Sequence, residues 1–169
     1  RAGSDIAFLG GLIHHALARK LYHADYVRLH TNASFLIQED FDFSEGYFSG
    51  WDPQKKIYDK SSWQYELDSD GYAKVDPTLE HPRSVFQLMR KHYERYAPEQ
   101  IATICGCPAE DFTRAAEIIC STGKADRCGT ILYALGWTQH SHSVQLIHTA
   151  AMLQLLLGNI GIPGGGVNA

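Results

Sequence analysis

Thr130-Ile131-Leu132-Tyr133-Ala134-Leu135-Gly136-Trp137-Thr138-Gln139-His140 is the stretch on which the fold turns. Thr130 to Leu135 is a continuous run of apolar and β-forming residues, without the polar alternation of a strand that keeps one face in water. It predicts a buried strand closed by Gly136. Beyond a loop through Gln139, residues Ser143 to Leu157 form an almost wholly apolar helical segment, interrupted by Gln154, that needs cover on most of its sides. A strand buried on both faces belongs in a parallel sheet, and such a sheet has several strands. No second strand of that strength reads from these residues. The expected class is therefore α/β and helix-rich, a segment of a parallel-sheet domain that is incomplete by itself and internal to a larger protein.

Upstream of this stretch the helices are well marked. Pro98 opens a short helix that Gly106 closes, and Pro108 opens another, with Phe112, Ala115, Ala116 and Ile119 facing inward. Val85, Phe86, Met89 and Tyr93 make one stripe of a further helix. Near the start, Ser4 or Asp5 caps a helix whose apolar positions are Ile6, Leu9, Ile13 and Leu17. His14 and His15 fall on adjacent faces of it and are expected at solvent or at an interface. A second short helix is expected over His23 to His30, and Ser34 to Ile37 reads as a short extended piece.

Residues 38–82 differ in character. They are rich in aromatics, with turn signals at Glu45-Gly46, Ser49-Gly50, Asp52-Pro53 and Asp70-Gly71. Tyr65 to Leu67 and Tyr72 to Val75 flank Asp68-Ser69-Asp70-Gly71 as a small hairpin would. The predicted organisation is residues 1–37 as the first part of the α/β domain, 38–82 as an aromatic, turn-rich insertion, and 83–169 as the remainder.

Composition narrows the function classes. The chain has 169 residues, a formal charge of −4 and mixed acidic and basic residues, so no basic stripe marks a nucleic-acid surface. No apolar run is long enough to span a bilayer. None of the four cysteines forms a C-x-x-C pair. His140, His142 and His148 lack the spacing of a ligand set on one helical face, and no carboxylate stands near them.

Three places carry candidate chemistry. At Arg1-Ala2-Gly3-Ser4-Asp5 a turn opens directly into a helix. If a strand precedes it, this turn lies at the carboxyl edge of a sheet, where ligands bind. Gly3 permits close backbone approach, and Asp5 can accept paired N–H bonds from a guanine edge. A plain Ser/Asp helix cap accounts for the same residues, and both readings stand. The second place is Tyr133-Ala134-Leu135-Gly136-Trp137-Thr138-Gln139-His140, where Gly136 lets a ligand reach the backbone and Gln139 offers a donor and an acceptor; a plain strand-end loop with a satisfied glutamine accounts for the same residues. The third is Leu157-Gly158-Asn159-Ile160-Gly161-Ile162-Pro163-Gly164-Gly165-Gly166, whose glycines follow a helix and so do not make a dinucleotide fingerprint. Gly158 or Asn159 is its left-handed stop.

Taken together, the opening R-x-G-S-D, the YALGWTQH crest and the terminal LLLGNIGIPGGGVNA resemble the molybdopterin oxidoreductases that carry a bis-guanine-dinucleotide cofactor. Tyr58-Asp59-Lys60-Ser61-Ser62-Trp63 and Thr31-Asn32-Ala33-Ser34 are similar to the catalytic subunits of respiratory or periplasmic formate dehydrogenases. The resemblance implies a dinucleotide-binding-like cofactor domain. It implies that Gly3, Ser4 and Asp5 hold a guanosine portion of bis-molybdopterin guanine dinucleotide, with molybdenum or tungsten. Leu135, Gly136 and Gln139 would lie against the same cofactor. It further implies a parent enzyme that oxidises formate, with a [4Fe-4S] cluster, an iron–sulfur electron-transfer subunit as partner, and a periplasmic location. The family's selenocysteine or cysteine metal ligand, the histidine beside it and the four-cysteine cluster motif have no counterpart in these residues, so the segment is expected to be inactive alone. Two other readings stand beside this one: a related molybdopterin oxidoreductase with another substrate, and a non-catalytic nucleotide-binding or subunit-interaction module.

Overall fold

The computed structural model describes residues 1–44 and 46–169; the turn expected at Glu45-Gly46 thus begins outside the described residues. In chain order the elements are α1 (Asp5–Ala18), α2 (Ala24–His30), β1 (Phe43–Ser44), β2 (Tyr47–Phe48), β3 (Trp51–Asp52), β4 (Ile57–Tyr58), α3 (Val85–Tyr93), α4 (Pro98–Cys105) and α5 (Ala109–Cys120). They continue as β5 (Thr130–Leu132), the single turn α6 (Leu135–Thr138), α7 (Ser143–Leu156) and β6 (Gly166–Asn168). The chain mixes helices with short strands, which is consistent with the α/β class. The chain forms two compact units, one of Arg1–His30 with His92–Ala169 and the other of Thr31–Lys91.

In the first unit α1 packs on α7, α5 and α4. Its inward stripe is Leu9, Leu12, Ile13 and Ala16, which meets a core of Ile101, Phe112, Ala116, Leu146, Ala150 and Leu153, all buried. Gly10 and Gly11 bring α1 close to its neighbours. A Cβ on Gly10 would stand 2.9 Å from the Tyr96 ring, and one on Gly11 would stand 2.7 Å from both Ile101 and Phe112. Mid-helix glycine costs about 1 kcal/mol relative to alanine, which the closer packing offsets here. His15 is 5% exposed, so the expectation of a solvent-facing or interface histidine does not hold for it. Burial first, then the nearby Arg19 cation, holds its pKa below the ordinary histidine value.

The run from Thr130 to Leu135 departs from expectation. Only Thr130–Leu132 is strand, with Thr130 and Leu132 exposed and Ile131 half-buried. Leu135 and Gly136 instead enter α6, because the Ala134 carbonyl accepts from the Trp137 and Thr138 N–H groups and turns the chain. The exposure of Thr130 and Leu132 shows that the strand is not buried on both faces, and it has one ladder partner among the described residues. That partner was unforeseen: the terminal glycine-rich segment continues into β6, which pairs parallel with β5 in the register Thr130↔Gly166, Ile131↔Val167, Leu132↔Asn168.

The second unit is built from short antiparallel pieces. β1 pairs with β2, and β3 pairs with β4. The expected extended piece Ser34 to Ile37 makes single bridges, Phe35 to Val75, Leu36 to Ser84 and Ile37 to Tyr65. The hairpin around Asp68 closes through Leu67 and Ala73, with Asp68 Oδ1 accepting the N–H groups of Asp70 and Tyr72 at 2.9 Å each. Aromatic edges supply much of the contact, as in Phe48 against Trp63 at 5.1 Å and Trp51 against Tyr58 at 4.9 Å. The Asp76 carboxyl is held down to about 2, chiefly by the Thr78 hydroxyl and by backbone N–H groups of His81, Thr78 and Glu80.

Candidate functional site

Where α1, α5, β5, α6 and α7 meet in the first unit there is a hollow of about 430 Å³. Its walls are apolar side chains, among them Phe8, Leu12, Ile119, Ile131 and Leu153. Polar groups collect at two places, Asp5 and Trp137 at the lip and Gln154 and Asn159 at the buried floor.

The floor is a closed hydrogen-bond network. Gln154 Nε2 donates to the Gly129 and Gly166 carbonyls, both at 2.8 Å. Asn159 Nδ2 donates to Gln154 Oε1 at 2.7 Å and to Thr122 Oγ1 at 3.0 Å, while Asn159 Oδ1 accepts the Gly129 N–H at 3.2 Å. Every polar atom of both amides therefore has a partner, as buried amides must. The network joins the chain entering β5, the end of α7 and the start of β6. Gly158, at φ 72°, is the left-handed stop of α7. That leaves Asn159, the other candidate for the stop, free to turn inward.

The lip is made by the two bends singled out from the sequence. Ser4 occupies the N-cap of α1 without a side-chain cap bond; its hydroxyl turns back and donates to the Arg1 carbonyl at 2.6 Å. That removes the expected side-chain cap. Asp5, half-buried, receives the Trp137 indole N–H on Oδ1 at 3.3 Å. Trp137 lies nearly parallel to Tyr133, centroids 5.6 Å apart and planes 21° apart. Gly3 (φ 83°) and Gly136 have nothing within 4 Å of where a Cβ would project.

The structure thus joins Asp5 to the crest through Trp137. Ser4 and Asp5 also line a smaller adjoining hollow of about 220 Å³ with Arg1, Phe8, Cys105 and Cys107. Gly3, Leu135, Gly136 and Gln139 flank the large hollow without lining it. Leu135 is 66% exposed, and Gln139 is exposed, with its backbone N–H donating to the Leu135 carbonyl at 3.1 Å. Trp137, Gln154, Asn159 and Thr122 were not singled out from the sequence as site residues. The available signals were an aromatic N–H inside the crest motif and a glutamine inside an apolar helix.

Other chemistry finds no support nearby. The four cysteines are free thiols, and burial pushes the Cys120 thiol up to about 12, which keeps it protonated and unreactive. His140 and His142 stand 5.3 Å apart, yet no group of three ligating side chains suited to a metal exists among the described residues. No helix among them is long and apolar enough to cross a membrane.

No family model matches the chain. Curated proteins match it over all 169 residues. It is 51% identical to formate dehydrogenase 2 subunit alpha (cytochrome c-553) of Nitratidesulfovibrio vulgaris. It is 52% identical to the major subunit of the nitrate-inducible formate dehydrogenase of Escherichia coli and 53% identical to formate dehydrogenase subunit alpha of Megalodesulfovibrio gigas. In each case the whole chain is covered, against 17% of the relative's length. From its first residue to its last the chain is similar to the alpha and major subunits of formate dehydrogenases, and it spans 17% of their length.

Proposed function

We propose that this chain is a segment of a formate dehydrogenase catalytic subunit and that its part in the enzyme is to bind and orient bis-molybdopterin guanine dinucleotide. In the complete protein the reaction is the oxidation of formate to carbon dioxide, with release of one proton and two electrons. The cofactor, with molybdenum or tungsten, would supply the redox centre, and a [4Fe-4S] cluster ligated elsewhere in the subunit would serve electron transfer toward an iron–sulfur subunit. On this reading the protein ligand of the metal comes from another part of the subunit, and the segment alone is inactive. A periplasmic location belongs to the same reading.

The observation that carries the reading is the bond between Asp5 and Trp137, which closes the two ligand-type bends over one hollow in a chain matched end to end by formate dehydrogenase subunits. The lip suits a nucleobase edge. Asp5 gives one carboxylate oxygen to Trp137, and its Oδ2 has no donor among the described residues. A carboxylate accepts paired N–H donors of guanine well, since charge-assisted bonds are roughly twice as strong as neutral ones. Ser4 sets the turn that presents this carboxylate, and the open space at Gly3 and Gly136 leaves their backbones accessible to a ligand. Leu135 and Gln139 stand on the same crest and would face the cofactor rather than the hollow. Exposed Ile118 (67%), Leu132 (76%) and Val144 (58%) suit a segment that the rest of the catalytic subunit covers, with β5 and β6 as part of a larger parallel, dinucleotide-binding-like sheet.

The test is Asp5→Ala in the complete enzyme. Guanine nucleotide released by acid hydrolysis and bound metal should both fall by about tenfold or more, while circular dichroism and the thermal midpoint stay close to those of the unaltered enzyme. Undiminished nucleotide and metal in a folded variant would overturn the assignment.

A further inference from the structure

We infer that Trp137 is a positioning residue for the cofactor-binding carboxylate: its indole N–H fixes the rotamer of Asp5, so guanine recognition depends on a side chain that need not touch the base. This rests on the reading of Asp5 given above and extends it to a residue with no assigned role.

Several observations converge on Trp137. Its Nε1–H reaches Asp5 Oδ1 at 3.3 Å across 132 positions of sequence, linking the turn before α1 to the crest. No other side-chain donor is given to that carboxylate by the described residues. The indole is itself held, stacked on Tyr133 at 5.6 Å, and Tyr133 is tied to β6 by its backbone N–H, which donates to the Asn168 carbonyl at 2.9 Å. A path of contacts therefore runs from the paired strands through Tyr133 and Trp137 to Asp5. A carboxylate at the first turn of a helix otherwise samples several rotamers, and ordering it beforehand removes that entropy from the binding step. An indole is suited to this task because it donates and never accepts, so it leaves the carboxylate's remaining lone pairs for the ligand.

A purely structural tryptophan makes a different forecast, and a double-mutant cycle separates the two. Trp137→Phe keeps a ring against Tyr133 and removes the donor. In the complete enzyme, the rate at which guanine nucleotide is lost on prolonged dialysis should rise roughly three- to tenfold in Trp137→Phe, with an unchanged thermal midpoint. In an Asp5→Ala background the same change should add less than a factor of two, because the residue it acts through is gone. Equal, multiplicative effects in both backgrounds would overturn the inference, showing that Trp137 acts independently of Asp5. Normal nucleotide retention in Trp137→Phe beside poor retention in Asp5→Ala would also overturn it and leave the role of Asp5 intact. Normal retention in both single variants would remove the underlying reading as well. Should Trp137→Phe fold poorly, the cycle is repeated with Trp137→Leu against the same Asp5→Ala background. The inference then requires the same loss of additivity, and additivity in that second cycle overturns it.

Discussion

The floor and the lip of one hollow are built on opposite plans. At the floor, Gln154 and Asn159 are 2% and 0% exposed and every polar atom of both amides has a partner within the chain. At the lip, Asp5 and Trp137 share a single long bond, and the neighbouring glycines have open space around them. A buried amide network is costly to leave half made, so it fixes backbone geometry; a partly satisfied carboxylate at a rim keeps capacity for something else. The difference separates residues that build the site from residues that present it.

The comparison is broken most severely at Asn159. Asn159→Ala leaves the Gly129 N–H without its acceptor and removes the donor to Gln154 Oε1 and Thr122. Buried unsatisfied groups cost about 1–3 kcal/mol each, so a loss on the order of 3–5 kcal/mol is expected. Exchange of the Gly129 amide proton with solvent should accelerate by about a hundredfold in the complete protein. An acceleration under fivefold would mean that β5 is held by something other than this network.

How much of this was legible in the sequence follows the same division. The helices were readable because their signals are local: Pro98 opens α4 and Gly106, at φ 71°, closes it, while α7 follows its apolar run from Ser143. The strand was overextended because Tyr133 to Leu135 look like β-formers, whereas the Ala134 carbonyl accepts two N–H groups and starts a turn. β6 was missed because Gly166-Val167-Asn168 has almost no intrinsic strand preference; it is a strand because Gln154 and β5 hold it there. Gln154 was visible as an interruption of an apolar run, yet its partners at Gly129 and Gly166 are distant in sequence. The same holds for Trp137, whose partner lies at the other end of the chain. In the second unit, turns and one small hairpin were expected, and the chain there pairs through two-residue ladders and single bridges, too short for a sequence period to betray them.

A sharper version of the comparison uses two glycines. At the floor side, a Cβ on Gly165 would fall on the Asn159 backbone carbonyl oxygen. Backbone cannot swing aside as a side chain can, so Gly165→Ala must displace either Asn159 or the entry to β6. A cost of about 2–4 kcal/mol is expected. The Tyr133 amide, which donates to the Asn168 carbonyl, reports on it directly, because its exchange should speed up as the β5–β6 pair loosens. Unchanged protection of that amide would show that the pairing tolerates a moved Asn159.

At the lip, Gly136→Ala makes the contrasting case. Nothing lies within 4 Å of the position its Cβ would take, and Gly136 sits inside the helical turn α6, where alanine is the better residue by about 0.5–1 kcal/mol. The fold should therefore be unchanged or slightly more stable, with Tyr133 amide protection and the thermal midpoint preserved. Guanine nucleotide retention in the complete enzyme is a separate readout. If the cofactor approaches this backbone, one methyl group in that space lowers retention while leaving stability alone. A variant normal in both respects would confine the cofactor contact to the Asp5 side of the lip. A variant that lost stability would mean instead that the crest is packed by structure and not kept open for a ligand, which would erase the distinction between lip and floor.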